Sequence, residues 1–109
     1  MGEFKKPTGN GRFSINSFGY IVEGNQACAD ILGVDKEALI KTKIFRYIKR
    51  EYKKLFYQHC QKVLELLERQ NCQVKLVNKA GTDFPIRLQS ITGFDQDGNR
   101  LIECELMVD

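Results

Sequence analysis

Residues 24–33 read GNQACADILG, and this short stretch decides the fold. Its apolar residues recur at the spacing of one helix face. They are Ala27, Cys28, Ile31 and Leu32. The run stops at Gly33, a residue that readily ends a helix, and it is preceded by Asn25, whose amide oxygen can accept a backbone N–H of the first turn. The stretch therefore predicts a short helix that begins at about Asn25 and ends at Gly33.

Two short strands are predicted before this helix. RFSIN, residues 12–16, alternates apolar and polar side chains, and YIV, residues 20–22, follows a turn at residues 17–19. We expect these segments to form a hairpin over residues 12–22.

Two short helical segments and one long helix are predicted after it. VDKEAL begins a helix with Asp35 as its N-cap, and KIFRYI, residues 43–48, leads into a long helix from Glu51 to about Gln70. The long helix has an apolar stripe with a wider apolar margin. The stripe is Tyr52, Phe56, Cys60, Val63 and Leu67, and the margin is Leu55, His59, Leu64 and Leu66. We expect the stripe to face a core and His59 to lie on the flank, half exposed.

Three strands joined by tight turns are predicted in the C-terminal part. Each strand alternates, with one face apolar. The strands are CQVKLV at 72–77, FPIRLQSI at 84–91 and LIECELMV at 101–108, and the turns are NKAGTD at 78–83 and DQDG at 95–98. The pattern predicts an antiparallel meander, with Val108 on the inner face and with sequence neighbours supplying all of the strand pairing.

Together these segments resemble the PAS domain family. The resemblance rests on GYIVEGNQACADILGVDKEALIKTKIFRYI at 19–48, NKAGTDFPIRL at 78–88 and FDQDGNRLIECELMVD at 94–109. The sequence departs from the family's pattern at Lys41, where Gly is common, and at Ala80, where Asp is common. The resemblance implies an α+β PAS fold, in which several short helices and one long helix pack on one face of a five-stranded antiparallel sheet. The PAS domain would span residues 12–109, after an N-terminal extension, residues 1–11, that forms a flanking helix or is disordered.

By the same resemblance, Asn25 is a structural cap of its helix, and the helices enclose a cavity against the inner face of the sheet. Its candidate lining is Phe45, Tyr47, Phe56, His59, Cys60, Val63, Val74, Leu76, Ile86, Leu88, Ser90, Cys104 and Leu106. Two interpretations stay open: a packed interior with no natural ligand, and a small pocket with polar contacts from Ser90, His59 or Tyr47. Haem is a further alternative, since haem sensors of the family bind iron through a histidine of the long helix and His59 is the only histidine. Otherwise we expect no cofactor.

The opposite face of the predicted sheet carries more apolar side chains than an exposed face usually does. They are Val77, Ile91, Leu101 and Met107. We expect either the EFKK segment, residues 3–6, or a second copy of the domain to cover them. Because PAS proteins often dimerise or contact an effector on this surface, a homodimer is the expected assembly.

Basic residues are concentrated between Lys41 and Lys54. This segment has seven basic residues and one acidic residue, a net charge of +6, while the rest of the chain is at −3. Such a patch attracts phosphates. However, apolar residues interleave with the basic ones and no base-stacking platform accompanies them, so a solvated helix face is the simpler interpretation. We expect neither a nucleic-acid nor a membrane partner.

Composition argues against several other classes. The four cysteines include no CxxC pair and lie among apolar neighbours, which indicates buried free thiols rather than disulfides or a zinc site. The chain has no secretory signal and no apolar run that could cross a bilayer, so we expect a cytoplasmic protein.

The side chains of His59 and Cys60 are neighbours on a helix and diverge by about 100°, which argues against a catalytic pair of thiol and base.

We therefore expect a regulatory sensory domain and not an enzyme. By the resemblance, it would belong to a signal-transduction protein such as a two-component system. There it would bind a small ligand or mediate dimerisation to control a separate output domain of the same polypeptide. The alternative is a ligand-free protein interaction module.

Overall fold

Five strands form one antiparallel sheet. The structure, a computed structural model, describes residues 10–108. The strands are β1 (Gly11–Asn16), β2 (Ile21–Gly24), β3 (Gln70–Val77), β4 (Asp83–Phe94) and β5 (Arg100–Val108). Their order in the sheet is β2-β1-β5-β4-β3. The predicted hairpin and the predicted meander are both present, and they belong to the same sheet.

The pairing of β1 with β5 joins the first strand of the chain to the last. Phe13 lies opposite Cys104, and Ile15 lies opposite Ile102. The expectation that sequence neighbours supply all of the pairing is therefore wrong. Without this contact both β1 and β5 would be edge strands with unpaired backbone groups, whereas with it only β2 and β3 remain at the edges.

The helices follow the predicted order. The N-terminal cap of α2 and the C-terminal end of α3 differ from the prediction. They are α1 (Gln26–Leu32), α2 (Lys36–Leu39), a first 3₁₀ helix (Ile44–Tyr47), a second 3₁₀ helix (Arg50–Tyr52) and α3 (Lys53–Leu66). Asn25 caps α1 by accepting the N–H of Cys28, and Gly33 ends it at φ 71°. Asp35 occupies the N-cap position of α2, but its side chain makes no capping hydrogen bond.

The long helix ends earlier than its apolar stripe predicts. Leu67 is left-handed at φ 57°, and its N–H bonds to the carbonyl of Val63. Leu55, Leu66 and Leu67 are exposed, so they are not part of the buried stripe. The early end is explained by β3, which begins at Gln70 rather than residue 72 because its pairing with β4 extends as far as Gln70, opposite Ser90.

One apolar core lies between the helices and the sheet. It includes side chains from every strand and from all three α-helices, and the largest fully buried member is Phe56. Val108 keeps the spacing of the predicted inner face, two residues after Leu106, but it is 51% exposed at the end of β5. The architecture is the predicted α+β arrangement of a five-stranded antiparallel sheet with helices packed on one face.

Two expectations fall outside the described residues. The N-terminal extension lies there except for Asn10 and Gly11, and so does the EFKK segment, one of the two candidates for covering the sheet. Within residues 10–108, the structure contains no helix that is both long enough and apolar enough to cross a membrane.

Candidate functional site

Three polar side chains meet inside the core, and we call them the interior triad: His59 from α3, Ser90 from β4 and Cys104 from β5. The Nε2 atom of His59 lies 2.8 Å from Ser90 Oγ, and Ser90 Oγ donates to Cys104 Sγ at 3.1 Å. His59 is 5% exposed, so the prediction of a half-exposed flank position is wrong. The reason is Ser90, which offers the imidazole a hydrogen bond inside the core.

The electrostatics of the triad favour a neutral imidazole. Burial lowers the pKa of His59, and the positive charge of Lys62 lowers it further. With Ser90 donating to Cys104, the serine oxygen accepts from the His59 Nε2–H. The ring of Phe56 stacks beside the imidazole at 6.0 Å between centroids. The Nε2–H of His59 and the hydroxyl of Ser90 are therefore both paired, and the triad has no net charge while the imidazole is neutral.

The residues predicted to line the cavity lie together in the core. Twelve of its thirteen members are buried, and Phe45 is half-buried. Phe45 and Phe56 make an edge-to-face contact with their ring centroids 5.4 Å apart. Sequence reasoning missed Thr92, which donates from Oγ1 to the carbonyl of Val63 and so fastens α3 to β4. These contacts describe an interior filled by its own side chains around the triad.

Haem does not fit the surroundings of His59. The Nε2 atom is already bonded to Ser90, and the adjacent Phe56 and Val63 are fully buried. An iron porphyrin would have to break the hydrogen bond to Ser90 and displace the neighbouring side chains. The described residues also contain no cluster of three His, Cys, Asp or Glu side chains suited to a metal ion.

All four cysteines are free thiols. Burial raises the pKa of Cys28 and of Cys60 to about 12 and that of Cys72 to about 11. Burial also raises the pKa of Cys104. Because the thiolate is the reactive form, these side chains are poor nucleophiles near neutral pH.

An open groove of about 750 Å³ crosses the outer face of the sheet, and we call it the outer groove. Its charged lining has both signs: Arg12, Lys36 and Arg69 with Glu23, Glu103 and Glu105. Its larger apolar lining is Val22, Ile40, Ile91 and Phe13. Arg12 Nη2 lies 3.8 Å from Glu105 Oε2, which pairs two of the charges across neighbouring strands.

The residues predicted for a contact surface differ in their surroundings. Val77, Ile91 and Met107 are half-buried, and only Ile91 lines the outer groove. Leu101 is 8% exposed and lies outside the core cluster, so it offers little surface to a partner. The charged members of the groove were not predicted as a site. Arg12, Glu103 and Glu105 occupy outward positions of β1 and β5, whereas Glu23, Lys36 and Arg69 come from other segments.

In the basic segment from Lys41 to Lys54, every basic residue except Lys49 is exposed. Two of its lysines have local partners. Lys49 forms a 2.8 Å ion pair with Asp83, and Lys43 lies 5.3 Å from the centre of the Tyr20 ring. The segment is thus partly engaged within the fold.

A PAS domain sequence profile matches residues 9–109, nearly the whole chain. The chain belongs to the PAS domain family. No curated protein matches it in sequence. This PAS domain is similar in structure to the PAS-B domain of Drosophila melanogaster Cycle with bound glycerol, at a TM-score of 0.81 and 11% identity, covering 91% of this chain and 99% of that one.

Two further similar structures come from signalling proteins. A PAS domain of a two-component sensor histidine kinase has a TM-score of 0.75 and 12% identity, covering 92% of this chain and 85% of that one. The PAS domain of nitrogen regulation protein NR(II) from Vibrio parahaemolyticus has a TM-score of 0.78 and 10% identity, covering 92% and 89%. At these identities the likeness establishes the fold alone.

Proposed function

We propose that this PAS domain is a regulatory module that forms a homodimer through the outer groove and controls an output domain of the same polypeptide. The observation that carries the proposal is the charge pattern of the groove, which has three basic and three acidic side chains. A two-fold symmetric contact brings the same surface of both subunits together, so such a surface must contain both signs to be complementary to itself.

Apolar side chains at and beside the groove support the same proposal. Val22 is 40% exposed and Ile40 is 39% exposed, and Ile91 and Met107 are half-buried on the same side of the sheet. Apolar groups surrounded by charged ones are typical of protein interfaces, which combine a dry centre with a polar rim.

The proposed module acts by binding rather than by catalysis. The raised pKa values of Cys60 and Cys72 support this, since neither thiol is poised as a nucleophile. The free cysteines also suit a reducing compartment, and we place the module in the cytoplasm on that ground. The link to signalling rests on analogy with the sensor kinase and NR(II) domains, which share the fold.

Sedimentation equilibrium tests the dimer with a matched pair of variants. Met107→Glu adds a charge on the outer side of the sheet, whereas Val108→Glu adds the same charge one residue later, at an exposed position of the opposite side. We expect Met107→Glu to weaken the dimer by about tenfold or more, because it buries an unpaired charge, and Val108→Glu to leave it unchanged.

Two results would contradict the dimer proposal. One is a wild-type protein that stays monomeric at the highest concentrations used, and the other is an equal effect of the two variants. Raising the ionic strength should also weaken the wild-type dimer, since exposed charges of the groove are screened by salt.

A second candidate function is binding of a small polar molecule inside the core. The interior triad favours it, because the second ring nitrogen of His59, Nδ1, has no hydrogen-bond partner among residues 10–108. Native mass spectrometry of the freshly purified protein tests it. A reproducible small-molecule adduct that is lost in Ser90→Ala supports ligand sensing, and the mass of the bare chain alone contradicts it.

A further inference from the structure

A small pocket lies between α2, the first 3₁₀ helix and the turn that joins β3 to β4. Its volume is about 330 Å³, which is within the range of pockets that hold small molecules. Its polar lining is Thr42, Arg46, Tyr47, Asn78 and Lys79. None of these residues belongs to the interior triad or lines the outer groove, so the pocket is separate from both.

The pocket has two cationic residues and no acidic one. Arg46 and Lys79 line it, and neither side chain forms an ion pair or a hydrogen bond with any other residue in the range 10–108. Asp30 and Asp35 line an adjacent cleft together with Lys79 but make no ion pair with it. Two positive charges are therefore available at the pocket without a protein counter-ion.

The uncharged polar groups also offer donors. Asn78 Oδ1 accepts from the N–H of Thr82 at 3.0 Å, which leaves the two N–H groups of its side chain free to donate. Thr42 has already given its hydroxyl proton to the carbonyl of Ala38. The guanidinium of Arg46, the ammonium of Lys79 and the amide of Asn78 therefore all have polar hydrogens free to donate.

Tyr47 adds a donor that lacks a partner. The residue is only 7% exposed, and its hydroxyl makes no hydrogen bond to the protein within residues 10–108. A buried tyrosine hydroxyl normally has a hydrogen-bond partner, because leaving the group unsatisfied destabilises the fold. A bound acceptor in the pocket would supply the missing partner.

We propose that this pocket binds a small oxyanion through Arg46, Lys79, the Asn78 amide and the Tyr47 hydroxyl. The ligand carries a phosphate or a carboxylate group, since both present several acceptor oxygens and form strong charge-assisted bonds with Arg and Lys. Such an anion joins the helical cap to the β3–β4 turn. The proposal does not depend on the dimer or on ligand binding in the interior.

Backbone amide NMR tests the site with two defined probes. The labelled protein is titrated with inorganic phosphate and separately with succinate, at an ionic strength held constant with sodium chloride. We expect saturable shifts at Thr42, Arg46, Asn78 and Lys79. Saturation by phosphate alone assigns phosphate chemistry, and saturation by succinate assigns carboxylate chemistry. Linear, unsaturated shifts with both probes up to tens of millimolar would overturn the proposal.

A charge-matched pair of double variants separates a site from general electrostatics. Arg46→Gln/Lys79→Gln removes the pocket's cations, whereas Lys53→Gln/Lys54→Gln removes the same charge from exposed lysines of α3. We expect the pocket variant to weaken binding by about tenfold or more and the α3 variant to leave it unchanged. Equal weakening by both pairs would overturn the proposal.

Tyr47→Phe tests the hydroxyl by itself. It removes one oxygen and keeps the ring, so the melting temperature and the amide spectrum report directly whether the variant is folded. We expect affinity for the saturating probe to fall by about tenfold or more, as for loss of one hydrogen bond to a charged acceptor. An unchanged affinity would overturn the role given to Tyr47.

Discussion

Asn25 Oδ1 accepts the backbone N–H of Arg12 at 2.9 Å, and the same oxygen accepts the N–H of Cys28 at 2.9 Å. The side chain amide of Asn25 also donates to the carbonyl of Asn10 at 3.2 Å. One side chain therefore caps α1 and fastens that helix to the first strand. The sequence predicts the cap alone, because the contacts with residues 10 and 12 depend on the packing of α1 against β1.

Asn25→Ala is expected to lower the free energy of unfolding by about 2 kcal/mol. Loss of a helix cap costs about 1 kcal/mol, and the unsatisfied N–H of Arg12 adds a similar amount. Asn25→Asp is the control, because it keeps an acceptor oxygen for both N–H groups and loses only the donor to Asn10. Urea denaturation measures both variants. The contradicting result is that Asn25→Ala lowers the free energy of unfolding no more than Asn25→Asp does. That result would show that the acceptor oxygen of Asn25 has no special role.

The stability of the domain is expected to fall as the pH decreases from about 6.5, the usual pKa of histidine. The pKa of His59 is lowered in the folded state, so the unfolded chain takes up the proton first. Stability is then fully present above the unfolded pKa and is lost as the pH falls toward the folded pKa, by at most about 1.4 kcal/mol per pH unit. Denaturation at a series of pH values from 7.5 to about 5.5 measures the slope, above the range in which carboxylates titrate.

His59→Asn is the control for this slope. His59 is the only histidine, so the variant has no side chain with an ordinary pKa between those of the carboxylates and the thiols. Its stability should be nearly constant over the same pH range. A wild-type slope that persists in His59→Asn would assign the pH dependence to other groups.

The fold was largely predictable because its signals are local. The helical spacing and the terminal glycine of α1 lie within ten residues, and the alternation of β4 and β5 lies within each strand. The pairing of β1 with β5 and the early end of α3 were not predictable in the same way. Both depend on which strands meet: Gln70 joins β3 because Ser90 lies opposite it in β4.

The candidate sites were less predictable, since each depends on residues that are distant in sequence. The stripe of α3 placed His59 on a flank, and only Ser90, 31 residues later, explains its burial. The basic segment was visible as a run of charge. The role of Arg46 was not visible in that run. Arg46 lines a pocket only because the β3–β4 turn packs beside it and brings Lys79 to the same pocket.

Gly11→Ala is expected to destabilise the domain by about 1–3 kcal/mol, because β1 and α1 approach closely at this position. A methyl group on Gly11 would lie 2.9 Å from Ile31 Cδ1 and 3.2 Å from Cys28 Cα. The side chain of Ile31 can adjust, but the backbone of Cys28 is fixed by the Asn25 cap. Thermal unfolding of Gly11→Ala and Gly11→Ala/Ile31→Val measures the effect. If Ile31→Val restores the full stability of Gly11→Ala, the whole steric conflict lies at Ile31. That result would contradict a contribution from the backbone of Cys28.

A double-mutant cycle on His59 and Ser90 tests whether the interior triad acts as a coupled unit. Ser90→Ala leaves the buried His59 Nε2 without a partner, which should cost about 1–3 kcal/mol. His59→Phe leaves Ser90 still able to donate to Cys104 and should be milder. The double variant replaces the pair by apolar groups and should be more stable than the sum of the single effects predicts. Chemical denaturation of all four proteins gives the coupling energy. Strict additivity would mean that the 2.8 Å contact between these side chains contributes nothing to the stability of the domain.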